Sequence, residues 1–251
     1  MAPAGTLRLA RIAAGVALVA QLTRRLVLKY AGLFMPATRL AQRELPLPAE
    51  QEPIYQLPFA TPPGPSTWYV EQWYGNTNIA YYLRNTVYRE GQGIHFGIDF
   101  ACPCETEVTC IGDGVVIGAD DLSYGAGPHN AIVEHPNGDL SLYGHLRWFP
   151  EVRWGQAVKA GDLIGYSGDW LDNWGCAASP HLHLEIRRPN RNFAVNPVHL
   201  IKADWHSASL GRFLGFAKDL DNPRRWQTLE DQPETTFGGR ILNEYNSLWM
   251  R

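Results

Sequence analysis

One short segment of the chain alternates two imidazoles and a carboxylate with apolar residues. It reads His181-Leu182-His183-Leu184-Glu185. On a β-strand alternate residues share a face, so both imidazoles would point to one side and both leucines to the other. Such a strand would carry a polar site on one face and pack into an apolar core with the other. Two histidines at this spacing also arise from surface composition, so the pair alone does not establish a site.

A second segment combines an imidazole and a carboxylate four residues apart, in His95-Phe96-Gly97-Ile98-Asp99. Its glycine lets another group approach the backbone closely. Nitrogen and oxygen donors of this kind suit zinc, and catalytic zinc takes three protein ligands and leaves a fourth position to water. His95, Asp99 and one histidine of the first segment therefore form a complete ligand set without any cysteine.

A third segment, Tyr143-Gly144-His145-Leu146, places a histidine at the end of an apolar run. Functional groups are often found where a strand passes into a loop. Taken alone, a surface histidine without a function explains this segment better.

The three segments occur in the order and framing of the lysostaphin-like (LytM-type) zinc endopeptidases, which cut peptide cross-links in bacterial peptidoglycan. The chain resembles this family in the patterns H-x-x-x-D, Y-x-H-L and H-L-H-x-E, all of which are intact. The sequence around residues 112–116, 133–138 and 158–165 is similar as well, and the resemblance covers roughly residues 68–201.

The resemblance implies roles for five residues. His95, Asp99 and His183 would bind Zn²⁺, while His145 and His181 would flank the attacking water and the scissile carbonyl. One of these two histidines would accept the proton of the water and one would stabilise the oxyanion. The sequence does not tell which of the two has which role.

Three further residues near these motifs have no assigned role. Glu185 lies on the ligand face of its strand, where it would contact a zinc ligand or form a plain salt bridge. His129 and His135 match no functional position of the family and are expected to be surface residues.

The chain departs from the family between Gly168 and Ser179. The family has a brief connection there, whereas this chain has the segment 169–178 with two tryptophans and Cys176. A longer loop beside the H-x-H strand is expected to reshape the substrate groove. The resemblance therefore predicts the class of bond, but not whether it is a Gly-Gly bridge or a D-Ala to diamino-acid bond.

The function implied is a zinc-dependent endopeptidase that hydrolyses peptide stems or cross-bridges of peptidoglycan. One alternative is a non-enzymatic LytM-type module that regulates a cell-wall amidase, but such modules lack some of the metal ligands. A second alternative is an extracellular metallopeptidase that acts on proteins. The sequence has no H-E-x-x-H helix, so a thermolysin-type site is not supported.

Short apolar runs separated by Gly, Asn and Asp indicate strands joined by turns. The runs are Val108 to Ile111, Gly114 to Ile117, Ala131 to Glu134, Leu140 to Tyr143, Asp162 to Tyr166 and Leu182 to Ile186. Residues 136–139 predict a hairpin turn between two of them. With the resemblance, this pattern predicts a mostly β fold with an antiparallel β-sheet core of the LytM or lysostaphin type, like that of a duplicated hybrid motif.

The first 43 residues differ in charge from the rest of the chain. They carry seven basic residues and no acidic one, so a net charge of −3 leaves −10 on the remainder. An acidic body argues against nucleic acid as a partner, because phosphate binding needs clustered Lys and Arg.

The same segment has features of a targeting sequence. Basic residues precede the apolar run 12–20, as in an export signal, and a second apolar patch at 26–35 contains Lys29, as in a membrane-surface helix. An ordinary amphipathic docking helix is the alternative. The sequence thus predicts an exported protein, either extracellular or anchored to the cell wall or membrane.

Composition and the family resemblance together divide the chain into four parts. A leader at 1–43 precedes a Pro-rich linker at 44–65, a zinc peptidase domain at 66–202 and a C-terminal extension at 203–251. The scattered aromatic residues of the extension are expected to pack against the domain, and a ligand-binding surface is the alternative.

The four cysteines are Cys102, Cys104, Cys110 and Cys176. In an exported protein one or two disulfides are expected. A disulfide between any one of the first three cysteines and Cys176 would attach the segment after Asp99 to the loop before His181. A four-cysteine zinc knuckle is the alternative, although the C-x-C-x5-C spacing is not the paired form that such sites use.

Overall fold

In the computed structural model of the chain, the described residues are 52–169, 176, 179–188, 193–212 and 227–242. The leader and most of the loop 169–178 lie outside them, so what was predicted for those segments stays a prediction. Within the described ranges, no helix has the length and apolar character needed to cross a membrane.

Short strands form most of the regular structure. The strands are β1 (Tyr69–Gln72), β2 (Gly97–Ala101), β3 (Glu107–Thr109), β4 (Gly114–Ala119), β5 (His129–Glu134), β6 (Leu140–Leu146), β7 (Ala157–Val158), β8 (Leu163–Tyr166), β9 (His181–Arg187), β10 (Phe193–Val195) and β11 (Thr235–Thr236). Two short helices, α1 (Asn78–Tyr82) and α2 (Trp205–Ala208), and 3-10 turns at Leu122–Tyr124 and Pro197–His199 complete the described elements. Each of the six predicted runs overlaps a strand, so the mostly β fold is confirmed.

The main sheet is antiparallel throughout. Its strand order is β1-β2-β9-β6-β5-β4-β7, and β10 pairs with both β9 and β11. Strands β3 and β8 form a separate antiparallel pair. Strand β9, which carries the H-x-H motif, therefore lies inside the sheet between β2 and β6.

The two faces of β9 have different surroundings. Leu182 and Leu184 are fully buried in the larger core cluster, together with Ile98 and Phe100 of β2. Burying side chains of this size stabilises the fold by roughly 1.5–3 kcal/mol each. The opposite face carries His181, His183, Glu185 and Arg187, and a smaller apolar cluster, with Ile132 and Leu142, lies beyond it on β5 and β6. The predicted division of the strand into a polar and an apolar face is confirmed.

The folded domain begins earlier than residue 66. Tyr55 is buried and its N–H donates to Leu200 O at 2.9 Å. Phe59 is also buried, and its ring stacks on Trp68 at a centroid distance of 4.8 Å. The described end of the Pro-rich segment, residues 52–65, is therefore part of the domain rather than a linker, because its aromatic side chains fill the core.

The hairpin turn between β5 and β6 lies where the sequence predicts it, but it carries a buried histidine. Only 3% of His135 is exposed. Its Nδ1 lies 2.9 Å from Asp113 O and its Nε2 lies 2.9 Å from Ser141 Oγ. The expectation of a surface residue is wrong for His135, because both ring nitrogens find partners within the fold. His129 is half-buried and pairs with Asp120 at 2.9 Å.

The C-terminal extension packs on the domain wherever it is described. Trp205 of α2 contacts Trp73 edge-to-face at a centroid distance of 5.7 Å. Strand β11 pairs with β10 and so extends the main sheet. The aromatic residues of the extension at positions 213, 216, 226, 245 and 249 lie outside the described residues.

A disulfide joins Cys104 to Cys176 with a Cα–Cα distance of 5.7 Å. It attaches the segment after β2 to the loop before β9, as one of the predicted linkages does. Cys102 and Cys110 are buried free thiols, so the four-cysteine zinc knuckle is wrong.

This linkage predicts a reductant-dependent stability. Replacing both Cys104 and Cys176 by Ser should lower the free energy of unfolding by about 2–4 kcal/mol, because the unfolded chain loses a constraint on a long loop. Urea unfolding with and without reductant measures the effect. The native chain should lose stability as free thiols rise from two to four per chain, whereas the double variant should not respond. Equal stability of the native chain in both conditions would contradict the linkage.

Candidate metal centre

The pairing of β9 with its two neighbours brings the candidate site together. In β2 Asp99 lies directly opposite His183, and in β6 Gly144 lies opposite the same histidine. Directly paired residues of an antiparallel sheet share a face, so Asp99 and His183 must point to the same side. The third predicted ligand, His95, precedes β2 and forms an isolated bridge with Gly75.

Glycine at position 97 makes this close packing feasible. A Cβ there would lie 2.5 Å from Leu184 O and 2.9 Å from His183 Cε1. Any larger residue would push β2 away from β9 at the point where Asp99 meets His183. The close backbone approach expected at Gly97 is confirmed.

The candidate ligand atoms converge. Asp99 Oδ1 lies 2.7 Å from His183 Nδ1 and 3.2 Å from His95 Nε2, and the two ring nitrogens are 3.1 Å apart. Three ligands about 2.0–2.1 Å from a tetrahedral zinc ion lie about 3.3 Å from one another. The donor set therefore has nearly the spacing that zinc requires. All three residues are buried, and together they form the one candidate metal cluster in the described part of the chain.

The ring orientations of both histidines also suit a metal. His95 Nδ1 lies 2.7 Å from Trp73 O, and His183 Nε2 lies 2.9 Å from Glu185 Oε1. Carbonyl and carboxylate oxygens only accept hydrogen bonds, so these nitrogens carry the protons in the neutral rings. The other nitrogens, which face Asp99, then present lone pairs, as metal ligands must.

His145 and His181 lie beside this cluster. The ring of His145 is 4.8 Å from that of His181 and 5.5 Å from that of His183, between centroids. His181 Nε2 is 3.8 Å from Asp99 Oδ1. His145 Nδ1 donates to Gly127 O and His181 Nδ1 donates to Ser179 O, so each neutral ring has its lone pair on Nε2.

The backbone of His145 departs from a regular strand. Because Gly144 lies opposite His183, strict alternation would turn the next side chain to the other face. The φ angle of His145 is +58°, in the left-handed region that non-glycine residues rarely adopt. This conformation keeps its imidazole on the side of the other histidines, and strain of this kind clusters at functional sites.

The electrostatics of the cluster favour a cation. Burial alone would raise the pKa of Asp99, but His95 and His181 hold it well below its usual range. Burial alone would lower the pKa of His183, but its hydrogen bonds to Asp99 and Glu185 raise it to about 10. Both shifts favour positive charge on His183 beside the Asp99 carboxylate, where a metal would bind.

The pKa of His145 is shifted in the opposite direction to that of His183. Burial, together with the nearby His183 and His181, lowers its pKa to about 3. Its imidazole is consequently neutral at physiological pH and has a lone pair on Nε2.

Glu185 contacts both a candidate ligand and a buried cation. Its second carboxylate oxygen lies 2.5 Å from Arg187 Nε, and the guanidinium also donates to Tyr124 O at 2.9 Å. Burial alone would raise the pKa of Glu185, but Arg187 and His183 lower it to about 2. Both contacts expected for Glu185, one with the candidate ligand His183 and one as a salt bridge, here with Arg187, are thus present at once.

Residues 93–197 match the model of peptidase family M23, and this range contains all five predicted site residues. The chain contains a peptidase family M23 domain. The resemblance noted in the sequence is therefore confirmed at the level of the family.

Two curated relatives illustrate the range of the family. The chain is 34% identical over 120 residues to the glycyl-glycine endopeptidase ALE-1 of Staphylococcus capitis, covering 47% of this chain and 32% of the relative. It is 36% identical over 133 residues to the peptidoglycan DD-endopeptidase ShyA of Vibrio cholerae, covering 51% of this chain and 28% of the relative. The chain spans less than a third of the length of these relatives.

A solved structure is also similar. The catalytic domain of lysostaphin from Staphylococcus simulans is 27% identical, with 52% of this chain and 90% of that chain covered and a TM-score of 0.42.

The M23 domain brings all five sequence-predicted residues into one cluster, while their roles remain predictions. Sequence patterns did not reveal the atoms that orient them. These are the carbonyl oxygens of Trp73, Gly127 and Ser179 and the guanidinium of Arg187. Backbone carbonyls carry no residue-type signal, whereas the alternation that placed Glu185 beside His183 would also have indicated Arg187.

The paired charges behind His183 predict separate effects on stability and metal binding. Glu185→Ala should lower the free energy of unfolding by about 3–5 kcal/mol, because it leaves Arg187 buried without its carboxylate. Zinc affinity should fall about 10–100-fold, since His183 Nε2 loses its acceptor. Urea unfolding and zinc competition with a chromogenic chelator measure the two effects.

A double variant separates the effect on stability from the effect on zinc affinity. Glu185→Ala with Arg187→Met should recover much of the stability but not the zinc affinity, because only the buried charge is relieved. Glu107→Ala, at an exposed position of β3, serves as the control and should change neither. Native zinc affinity in the double variant would show that Glu185 does not orient His183.

Proposed function

We propose that this chain is a zinc-dependent endopeptidase that hydrolyses peptide cross-links of bacterial peptidoglycan. The observation that carries the proposal is the convergence of His95, Asp99 and His183, with His145 and His181 beside them, within an M23 domain. The names of the relatives associate this family with cleavage of glycyl-glycine bonds and with peptidoglycan DD-endopeptidase activity.

The ligands of the metal would be His95 Nε2, Asp99 Oδ1 and His183 Nδ1. A zinc ion bound there would supply Lewis-acid polarisation of an amide carbonyl and would make a water molecule more acidic. Trp73 O and Glu185 hold the two imidazoles in the ligating tautomer. Asp99 contributes the negative charge that compensates a buried divalent cation.

The two remaining histidines divide the proton chemistry. We assign the general base to His145. Its Nδ1–H donates to Gly127 O, and burial together with the nearby His183 and His181 lowers its pKa, so the ring is neutral and its Nε2 lone pair can accept the proton of the attacking water. His181 then has the opposite role. In its protonated form it gains an N–H on Nε2, which can donate to the oxyanion that develops on the scissile carbonyl.

A complete donor set supports an enzyme over an amidase-regulating module, because nothing in the set needs to be supplied by a partner. Export is part of the proposal. The basic and apolar leader supports it, and so does the Cys104–Cys176 disulfide, because disulfides persist mainly in oxidising compartments.

The division of roles predicts different behaviour for two histidine variants. His183→Ala should abolish both zinc binding and activity, because it removes a ligand. His145→Ala should retain near-stoichiometric zinc but lose turnover by a factor of about 100 or more, since it removes only the base. His145→Asn is a useful second variant, because Asn tolerates the positive φ at this position.

Metal analysis and turnover measured on the same preparations test this prediction. His206→Ala, at an exposed position of α2, is the control and should keep both zinc and activity. Equal loss of zinc in the His183 and His145 variants would rule out the assignment.

Digestion of purified sacculi tests the function itself. The purified chain should release peptide fragments from sacculi, lose this activity in a chelator and regain it when zinc is added back. Sacculi with glycine bridges and sacculi with direct D-Ala to diamino-acid cross-links should be compared, and mass analysis of the new termini identifies the bond. Zinc binding without release from any sacculus would overturn the proposed substrate. Cleavage of unfolded or Gly-rich proteins in that case would favour a peptidase that acts on proteins.

A further inference from the structure

His95 is the candidate ligand that lies outside the strands. The C-terminal extension contacts the segment that pairs with His95 and the segment that contains it. We call residues 227–242 the C-terminal clasp. The clasp lies outside the range 93–197 that matches the M23 family. One part of it contacts residues 74–76, and another contacts residues 90–96.

The first contact centres on Asn76, which is completely buried. Its backbone N–H donates to Gln232 Oε1 at 2.6 Å, and its side-chain Nδ2 donates to Gln227 Oε1 at 2.9 Å. Next to it, the hydroxyl of the buried Tyr74 donates to Pro233 O at 2.8 Å. Two glutamines and a carbonyl of the clasp therefore fix this segment by directional hydrogen bonds.

The fixed segment is the one that holds His95. Gly75 and His95 exchange two backbone hydrogen bonds of 2.9 and 3.0 Å, and Trp73 O accepts from His95 Nδ1. Gly75 has a φ of +106°, and a Cβ there would overlap the side chain of Gln232. The close approach of Gln232 thus requires glycine at this position. Gln232 accepts its hydrogen bond from Asn76, the residue directly after Gly75, which pairs with His95.

The second contact holds the segment just before His95. Thr236 N donates to Gln92 Oε1 at 3.0 Å, and Leu242 N donates to Gln92 O at 2.9 Å. The Gln92 side chain in turn donates to Arg240 O at 3.0 Å. Phe237 packs edge-to-face on Phe96, with ring centroids 5.8 Å apart. His95 is therefore held from both sides by one segment of the extension.

The clasp is also joined to the strand that carries the next ligand. Its strand β11 pairs with β10, and β10 pairs with β9 at Arg187 and Ile186. A displacement of the clasp would therefore change the position of His95 relative to His183.

We propose that the C-terminal clasp positions His95 for metal binding, with Gln232 as its principal positioning residue. This inference rests on the proposed metal centre. It assigns a role to the extension that the family match leaves without one. Gln232 does not touch the metal but acts through Asn76, Gly75 and the carbonyl of Trp73.

Two substitutions at Gln232 test the proposal in the full chain. Gln232→Met keeps the volume but removes the acceptor for Asn76 N–H, whereas Gln232→Glu keeps an acceptor at the same distance along the side chain. Zinc affinity, measured by competition with a chromogenic chelator well below the melting temperature, should fall about tenfold in the Met variant. The Glu variant keeps the acceptor for Asn76 N–H but loses the hydrogen bond from Gln232 Nε2 to Thr228 O, so it should recover part of this loss.

Gln156→Met is the matched control. Gln156 accepts a hydrogen bond from Arg153 N within the loop between β6 and β7, so its loss should leave zinc affinity unchanged. A Gln232→Met chain with a lowered melting temperature but native zinc affinity would show a purely structural clasp and overturn the proposal. A native chain without stoichiometric zinc would instead overturn the metal centre, and the role of the clasp with it.

Discussion

The register in which β9 pairs with β2 and β6 is the constraint on which the site depends. It sets Asp99 of β2 and Gly144 of β6 opposite His183. The same register buries Leu182 and Leu184 in the core. Because side chains alternate along a strand, a shift of one residue would move both leucines to the site and both imidazoles into the core. The free energy of apolar burial therefore holds the candidate ligands in place, and site geometry and fold stability cannot be changed independently along β9.

The charges behind β9 impose a second constraint. Asp99 and Glu185 are both buried carboxylates, and Arg187 is the buried guanidinium that pairs with one of them. Buried charges persist only when they are paired, so the remaining negative charge needs a proton on His183 or a metal. The same arrangement thus explains the raised pKa of His183 and would favour the cation that the proposed chemistry requires.

Much of the site could be predicted because its chemistry resides in side chains with regular spacing. The alternation in residues 181–185 identified the polar face, and the H-x-x-x-D spacing with Gly97 identified the strand opposite. The position of His145 was predicted only through the family resemblance. A regular strand would have turned its ring away, and the positive φ that turns it back has no signature in a histidine.

Domain limits and buried polar groups were harder to predict for a different reason. Proline at positions 62, 63 and 65 suggested a linker, yet Tyr55 and Phe59 are core residues, because a proline-bearing segment can pack on a sheet without being a strand of it. His135 similarly has a polar ring that is buried only because Ser141 and a carbonyl happen to meet both nitrogens. Such partners are brought together by tertiary structure and are distant from any local pattern.

The functional unit is accordingly larger than its motifs. The candidate ligands lie within residues 93–197, but the carbonyl that orients His95 belongs to Trp73, and the hydrogen bonds that fix its neighbours come from Gln227 and Gln232. A histidine ligand is effective only when its ring is held in the correct tautomer and direction, and these atoms provide that restraint for His95 from either side of the range 93–197. Motif comparison identifies the donors of such a site, whereas the groups that orient the donors are determined by how this particular chain continues before and after the family domain.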